Sequence, residues 1–190
     1  MKRGNIDIMK ACFKKESLFG SFYGFWIILK NYIDQFSKHG LKNRRSTNLV
    51  HCEVYFDKTP KKMSWSSSEE DGGTREKNIN YSHAERWRML EVPIGFVNRK
   101  YKKIKDENDP RYGKKFSTER ELYLFLNEID RNYDWNLIMH YVIPLIPDSK
   151  KDFVCSESLM FALGYSFDKY TKITPMKAFD ILVEDLKKYN

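Results

Sequence analysis

The sequence has few cysteines, and their arrangement suits neither a metal site nor a disulfide framework. Its three cysteines, Cys12, Cys52 and Cys155, are odd in number and far apart. The sequence contains no CxxC pair, so zinc binding and dithiol redox chemistry are not indicated. We therefore expect free thiols, no metal and no organic cofactor.

Long apolar runs are also missing. The most apolar stretch, Phe22 to Ile33, is too short to span a bilayer and is interrupted by Lys30. The first sixteen residues, MKRGNIDIMKACFKKE, carry charge without the apolar core of a signal peptide. These features predict synthesis in a reducing cytoplasm, no transmembrane segment, and at most peripheral contact with a membrane.

The chain has enough apolar material for one packed domain over residues 1–190. Of its 190 residues, 41% are hydrophobic and 15% are aromatic, which suits two layers around one core. The net charge of +8 comes from short basic runs, such as Arg99 to Lys105, and none adjoins a motif that reads DNA or RNA. We expect a solvated surface and no specific nucleic-acid partner. An anionic substrate, such as a cell-wall polymer or a lipid surface, is the other interpretation.

Strand patterns are concentrated between residues 49 and 80. Leu49 to Phe56 alternates with period two, which predicts a strand with one buried face. A turn containing Pro60 leads to a returning strand at Met63 to Ser68, and the EEDGGT turn leads to a third short strand at Arg75 to Asn80. Together with the helical patterns on either side, these strands predict an α+β fold.

Helical patterns precede and follow the strands. The aromatic stretch from Ser17 to Phe36 predicts a core helix, so residues 1–44 are expected to form an N-terminal helical extension. Ser82 and Glu85 fit a capping box at the start of a short helix over 82–90. The segment Met89 to Val97 has strand character around Pro93, and the polar residues 98–115 that follow predict a long loop. Further helices are predicted at Ser117–Asn132, Phe153–Leu163 and Met176–Lys188.

Cys155 is the candidate nucleophile because it lies in the first turn of a predicted helix, which Asp152 caps and Gly164 ends. The positive end of the helix dipole favours the thiolate, which is the reactive form of a cysteine. The backbone N–H groups of the same turn also offer an oxyanion hole for a carbonyl group under attack.

His51 is the candidate base. On the predicted strand its side chain shares a face with Glu53, at a separation of about 6.5–7 Å along the strand. The Glu53 carboxylate could therefore orient the imidazole, as the third residue of a catalytic triad does. Ser66 or Ser67 on the next strand is the alternative partner, and the spacing leaves this choice open.

Other residues of catalytic type have structural interpretations. His83 repeats the HxE spacing with Glu85, but a helix cap fits that position better. His140 lies in an apolar run and is expected in the core, whereas His39 is expected at the surface. Cys52 points away from His51 along the strand and is expected to be a buried apolar group. Glu157 is expected to support the start of its helix.

Four short blocks occur in an order that resembles a known family. HCEVYF at 51–56, SWSSSEEDGGTR at 64–75, YDW at 133–135 and FVCSE at 153–157 are similar to the circularly permuted branch of the NlpC/P60 (papain-like) superfamily. That branch occurs in bacteriophages, bacteria and some large DNA viruses, and it is distantly related to the lecithin–retinol acyltransferase group. Its histidine strand precedes its cysteine helix, as His51 precedes Cys155 here. The resemblance covers about residues 45 to 185, with Val50 in place of a frequent serine.

The resemblance implies a permuted papain-like fold, in which a small antiparallel sheet packs against the helix that carries Cys155. It implies that Cys155 is the nucleophile and His51 the base, with Glu53 or a polar residue near Ser67 as the third member. The implied activity is hydrolysis or acyl transfer at an amide or ester bond through a thioester. Peptide-like substrates, including cell-wall stem peptides, and lipid acyl groups are the implied substrate classes.

Two other functional classes stay open. A non-catalytic binding module, associated with a virion or a membrane, would use the helix at Phe22–Ile33 and the basic loop at Arg99–Lys105 as its surfaces. A nucleic-acid-binding protein would use the +8 charge, and its affinity would fall steeply with salt. The viral members of the family also make a host cytoplasm or a virion an expected location. The sequence sets neither the substrate nor the oligomeric state.

Overall fold

A computed structural model describes residues 7–15, 22–39, 49–59, 61–78, 81, 84–134, 136–137, 152–166 and 173–189. Five strands and five α-helices lie within these residues. In chain order they are β1 (Ile8–Lys15), α1 (Phe22–His39), β2 (Leu49–Tyr55), β3 (Ser64–Ser68), β4 (Gly73–Lys77), β5 (Trp87–Pro93), α2 (Ile94–Tyr101), α3 (Glu119–Asn127), α4 (Cys155–Ala162) and α5 (Pro175–Tyr189).

The five strands form one antiparallel sheet in the order β4-β3-β2-β1-β5. The predicted α+β class is therefore confirmed. The predicted three-stranded meander is present as β2, β3 and β4, but β4 begins at Gly73 rather than Arg75. Pro60 and residues 79–80 of this prediction lie outside the described residues. The predicted helices at 117–132, 153–163 and 176–188 are also present, as α3, α4 and α5.

The first 44 residues are more than the helical extension that the sequence analysis predicted. Ile8–Lys15 is a strand inside the sheet, paired with β2 on one side and with β5 on the other. Met9, Ala11 and Phe13 lie on one face of this strand and are fully buried, and Lys10 and Lys14 lie on the other face with Cys12. This alternation is a strand signal, and it places the N-terminal segment in the same folded unit as the rest of the sheet.

The predicted helix at 82–90 is wrong in its larger part. Only Ala84–Arg86 forms a single 3₁₀ turn, and Trp87–Pro93 is strand β5, paired with β1 along its whole length. Ser82 lies outside the described residues. The long pairing with β1 overrides the local capping signal, because tertiary contacts outweigh weak intrinsic preferences. Helix α2 then begins at Ile94, inside the segment around Pro93 that has strand character by sequence.

The sheet has one face in the core and one face that carries charge. Residues directly opposite each other in an antiparallel ladder share a face. The pair Phe13 and Cys52 lies on the core face, where the Phe13 ring meets Phe179 of α5 edge-on at 5.1 Å. The pair Lys14 and His51 lies on the other face, beside Glu53. The register therefore places His51 and Glu53 on the same face, as the strand pattern predicts.

The Asp-Gly-Gly segment between β3 and β4 has a steric explanation. Gly72 has φ +74°, in the left-handed region that glycine adopts without strain. At Gly73 a Cβ atom would lie 2.1 Å from the carbonyl oxygen of Arg131, because the chain crosses β4 closely there. Gly72 thus permits the tight turn, and Gly73 permits the close approach of residues 131–133.

The C-terminal end of α4 is held by a buried arginine. Arg111 is fully buried and donates to the carbonyl oxygens of Phe161 at 3.0 Å and Tyr165 at 2.8 Å. Its guanidinium group also forms a two-pronged ion pair with Asp109, at 2.8 and 2.6 Å. A cation at this end of the helix complements the dipole. The region predicted as a loop, 98–115, therefore fixes the helix that carries Cys155.

Helix α1 packs beside β2. Ile27 and Ile28 are buried, and the side-chain amide of Asn31 donates to the backbone oxygen of Leu49 at 3.2 Å. Among the described helices, none combines the length and the apolar character needed to cross a bilayer.

Candidate active site

Cys155 is the first residue of α4. The residues just before it are held extended, because Phe153 donates to Asn132 at 2.9 Å and accepts from Asp134 at 3.2 Å. The helix therefore begins two residues later than predicted, with Val154 rather than Asp152 at the N-cap position. Glu157 accepts a hydrogen bond from the Val154 amide at 3.3 Å, so it supports the start of the helix as expected.

The start of α4 is also tied to the serine-rich strand β3. The hydroxyl of Ser67 donates to the carbonyl oxygen of Phe153 at 2.6 Å, and the Ser67 amide donates to Ser158 at 3.0 Å. Ser158 in turn donates to the carbonyl oxygen of Cys155 at 2.8 Å. Ser67, the alternative third residue, thus positions the helix that carries the cysteine.

His51 and Glu53 form a direct pair on β2. The imidazole Nε2 lies 3.0 Å from Oε1 of Glu53. Because Nε2 faces the carboxylate, Nδ1 is the ring nitrogen left for a second partner. A carboxylate in this position fixes the tautomer and the orientation of the ring.

Glu53 is a buried carboxylate held by several groups. It is 1% exposed, its second oxygen accepts from the Tyr81 hydroxyl at 3.3 Å, and Arg75 lies 3.6 Å from the first oxygen. Burial alone would raise the pKa of Glu53, but the hydrogen bond and charge of His51 and the charge of Arg75 lower it to about 2. Glu53 therefore stays ionised, as an orienting group must.

Cys155 and His51 lie close enough for each to shift the pKa of the other. Burial would lower the pKa of His51, but the Cys155 thiolate and then Glu53 raise it to about 10. The pKa of Cys155 is lowered well below the usual thiol range, first by a hydrogen bond from Cys52 and then, against the effect of burial, by the His51 charge. The raised pKa of His51 and the lowered pKa of Cys155 both favour a thiolate–imidazolium pair near neutral pH.

The site is closed around the sulfur and more open around the ring. Cys155 is 5% exposed, whereas the His51 side chain is 23% exposed. Charges alternate from the Cys155 thiolate through His51 and Glu53 to Arg75. Alternating charges of this kind reduce the cost of burying each ionised group.

Cys52 is buried, as predicted. Burial and then the neighbouring Cys155 raise the pKa of its thiol. The third cysteine, Cys12, lies opposite Glu53 on β1, where burial and then the Glu53 charge raise its pKa to about 12. Of the three thiols, only that of Cys155 has a lowered pKa.

Sequence reasoning missed two supports of the site, Arg75 and Tyr81. Arg75 ends the SWSSSEEDGGTR block, so its place in that block was a usable signal. Tyr81 has no local signal, because only the folded sheet brings it to Glu53. Among the other candidates, His39 ends α1. His83, Trp135 and His140 lie outside the described residues.

Within the described part of the chain, no group of three or more histidine, cysteine or acidic side chains is placed to hold a metal ion. The side chains at the site are those of acid–base and nucleophilic chemistry: a thiol, an imidazole and a carboxylate. The imidazole lies between the thiol and the carboxylate, an order that sites with a nucleophile, a base and an orienting group share.

The fold and site thus define an α+β protein in which a histidine, hydrogen-bonded to a glutamate, lies near a cysteine at the start of a helix. Comparison of the chain with protein-family models, with curated proteins and with solved structures finds no match. The resemblance to the permuted papain-like family therefore depends on the short blocks themselves and on their order.

Proposed function

We propose that the protein is a cysteine-dependent hydrolase or acyltransferase that acts on an amide or ester bond through a thioester, within a permuted papain-like fold. One observation carries this proposal: Cys155, at the first position of α4, lies near an imidazole that is hydrogen-bonded to Glu53. A thiol so placed has both devices that make it a nucleophile, the helix N-terminus and a paired imidazolium.

The proposed reaction uses the three groups in sequence. The Cys155 thiolate attacks the carbonyl carbon, a C–S bond forms, and the oxyanion faces the N–H groups of the first turn of α4. The imidazolium of His51 gives its proton to the leaving amine or alcohol as the C–N or C–O bond breaks. Water or another acceptor then attacks the thioester, His51 takes its proton, and the thiolate leaves.

The substrate classes follow from this chemistry and from the family resemblance. A thioester route accepts peptide-like amides, including cell-wall stem peptides, as well as lipid esters and amides. We include all of these classes in the proposal, and a panel of acyl-peptide and acyl-lipid substrates separates them.

Selective alkylation tests the proposed nucleophile without a known substrate. At mildly acidic pH, iodoacetamide should label Cys155 and leave Cys12 and Cys52 unmodified, because burial raises the pKa of the other two thiols. His51→Ala should slow this labelling about 10–1,000-fold, since it removes the cation paired with the thiolate. The site of labelling is read by peptide mass spectrometry. Equal labelling of all three cysteines, or rates unchanged by His51→Ala, would contradict the proposal.

The third residue is tested by following the titration of the His51 ring by NMR in two variants. Glu53→Gln should lower the pKa of His51, because the carboxylate is one of the groups that raise it. Ser67→Ala should leave that pKa unchanged and lower thermal stability, since the Ser67 hydroxyl anchors Phe153. The reverse pattern, with only Ser67→Ala moving the titration, would make Ser67 the partner of His51.

A second candidate function, binding of an anionic partner without catalysis, is favoured by one surface. Residues 99–115 contain eight basic and three acidic residues, a net +5 of the total +8. Most of these basic side chains are exposed, around the end of α2 and the turns that follow it. If this surface carries the function, retention on anionic vesicles or DNA should fall steeply with salt and be unaffected by Cys155→Ser.

A further inference from the structure

Glu53, the carboxylate that pairs with His51 in the proposed site, has partners at both of its oxygens. Oε1 lies 3.0 Å from Nε2 of His51 and 3.6 Å from Nη2 of Arg75. Oε2 accepts a hydrogen bond from the Tyr81 hydroxyl at 3.3 Å. The side chain of Glu53 is only 2% exposed, so water has little access to take the place of these partners.

Arg75 is directed at Glu53 by the turn between β3 and β4. Its Nε atom donates to Oδ2 of Asp71 at 3.0 Å, so a second carboxylate fixes the direction of the guanidinium group. The side chain of Arg75 is 12% exposed, and its Nη1 atom lies 3.5 Å from the Ser64 hydroxyl. Asp71 begins the Asp-Gly-Gly segment, so the conformation of this turn determines where the cation lies.

Tyr81 is held by two aromatic neighbours. Its ring packs edge-on against Tyr55 at 4.8 Å and against Trp87 at 4.9 Å, so residues of β2 and β5 fix the position of its hydroxyl. Burial and then the Glu53 charge raise the pKa of this hydroxyl, so it keeps its proton and remains a donor. The Tyr55 hydroxyl in the same cluster donates to Asp57 instead, at 3.2 Å.

We propose that Arg75 and Tyr81 are positioning residues for the reaction proposed above: together they hold the Glu53 carboxylate in the orientation that presents Oε1 to Nε2 of His51. This inference rests on the proposed function, since it assigns a role within the same site. The terminal torsion of a glutamate is broad, so a carboxylate bound to the imidazole alone can rotate away from it. A cation at one oxygen and a hydroxyl donor at the other remove that freedom.

The orientation of Glu53 matters at the step in which His51 transfers a proton. A carboxylate at Nε2 leaves Nδ1 as the nitrogen that exchanges a proton with the leaving group. Attack by the Cys155 thiolate needs no such transfer. Loss of either positioning residue should therefore slow acylation by an anilide, a poor leaving group, more than acylation by an activated ester.

The test compares Tyr81→Phe and Arg75→Met with the wild type on an acyl-peptide anilide and on the matching p-nitrophenyl ester. Tyr81→Phe removes one hydroxyl and keeps the ring in its aromatic cluster. Each variant should lower kcat/KM for the anilide by about 10–100-fold, the range expected for loss of one interaction with a charged group. The value for the ester, whose leaving group departs without a proton, should change by less than about threefold.

Proton NMR of the His51 ring provides a readout that does not depend on catalysis. The Nε2 proton, in the hydrogen bond to Glu53, should give a downfield signal that is absent in His51→Ala. In Tyr81→Phe and Arg75→Met this proton should exchange with water about tenfold faster or more, because the acceptor is no longer held in place.

Two matched controls remove a similar group without touching Glu53. Tyr55→Phe removes a hydroxyl from the same ring cluster. Lys77→Met removes a cation two residues further along β4, which pairs with the acidic residues of the turn. Both should match the wild type in turnover and in proton exchange. Thermal melting confirms that each variant is folded, and Tyr81→Phe alone carries the test if Arg75→Met is not.

Wild-type turnover and wild-type proton exchange in the folded variants would overturn the inference and leave the proposed function standing. Equal losses on the anilide and the ester, with the Nε2 proton unchanged, would also overturn it, since general damage to the site then explains the effect. If the wild type turns over neither substrate and Cys155 is not labelled selectively, the proposed function fails. The exchange of the Nε2 proton then still reports whether the two residues hold Glu53.

Discussion

Cys155→Ser should lower turnover by about 10³–10⁶-fold, the loss that follows removal of a catalytic nucleophile. Serine keeps the shape of the side chain, but its hydroxyl does not ionise beside His51 as the thiol does. Without the anion, the attack on the carbonyl carbon lacks a nucleophile of matching reactivity. The measurement is the hydrolysis of activated acyl esters and acyl-peptide anilides, together with mass spectrometry of the enzyme.

The same experiment reports the intermediate and the pH dependence. Wild-type protein should gain the mass of the acyl group on Cys155, and the serine variant should not. Activity should rise with pH as Cys155 ionises, at values below the usual thiol range, because its pKa is lowered. It should fall again near pH 10, where His51 loses the proton that it gives to the leaving group. Cys12→Ala should keep the turnover of the wild type. Equal turnover in the serine variant would show that Cys155 is not the nucleophile.

The residues of the site that the sequence could place are those set by local geometry. His51 and Glu53 share a face because side chains alternate along any strand. In the structure, Nε2 of His51 lies 3.0 Å from Oε1 of Glu53. Cys155 begins a helix because the pattern of the following residues is helical. These features depend on neighbours within a few positions, so periodicity is enough to predict them.

The proximity of Cys155 and His51 could not be derived in this way, because 103 residues separate them in the chain. It was expected only from the family order. It depends on the packing of α4 against β2, which is a tertiary feature without a local signal.

The fold errors have a similar origin. In β1 the apolar residues Met9, Ala11 and Phe13 alternate with less apolar ones, which is a strand pattern. The pattern covers only eight residues between charged neighbours, and this was too short to predict a strand. In β5 a capping-box pattern favoured a helix. The segment is nevertheless a strand, because it forms seven cross-strand pairs with β1. Nonlocal pairing decided both segments.

Replacement of Arg111 should cost a large part of the stability of the fold. Its substitution by methionine keeps the unbranched apolar stem of the side chain but removes the cation that contacts Asp109 and the carbonyl oxygens at the end of α4. Breaking a buried ion pair by removing one partner typically costs about 3–5 kcal/mol, since the other charge is left unpaired. Urea unfolding at neutral pH measures the loss. Arg120→Met, the same change at an exposed position, should stay within about 0.5 kcal/mol.

The pH dependence of this loss separates the two parts of the Arg111 interaction. Burial would raise the pKa of Asp109, but the hydrogen bonds and charge of Arg111 lower it. A lowered carboxylate pKa stabilises the fold above the unfolded pKa, and this contribution disappears as the pH falls through the folded pKa. The difference between wild type and Arg111→Met should therefore shrink in acid. The difference in stability that remains in acid is the contribution of the hydrogen bonds to Phe161 and Tyr165. The same contribution should be measured when Arg111→Met is compared with arginine in protein that carries Asp109→Asn. A difference independent of pH would assign the whole effect to the end of α4, the helix whose other end carries Cys155.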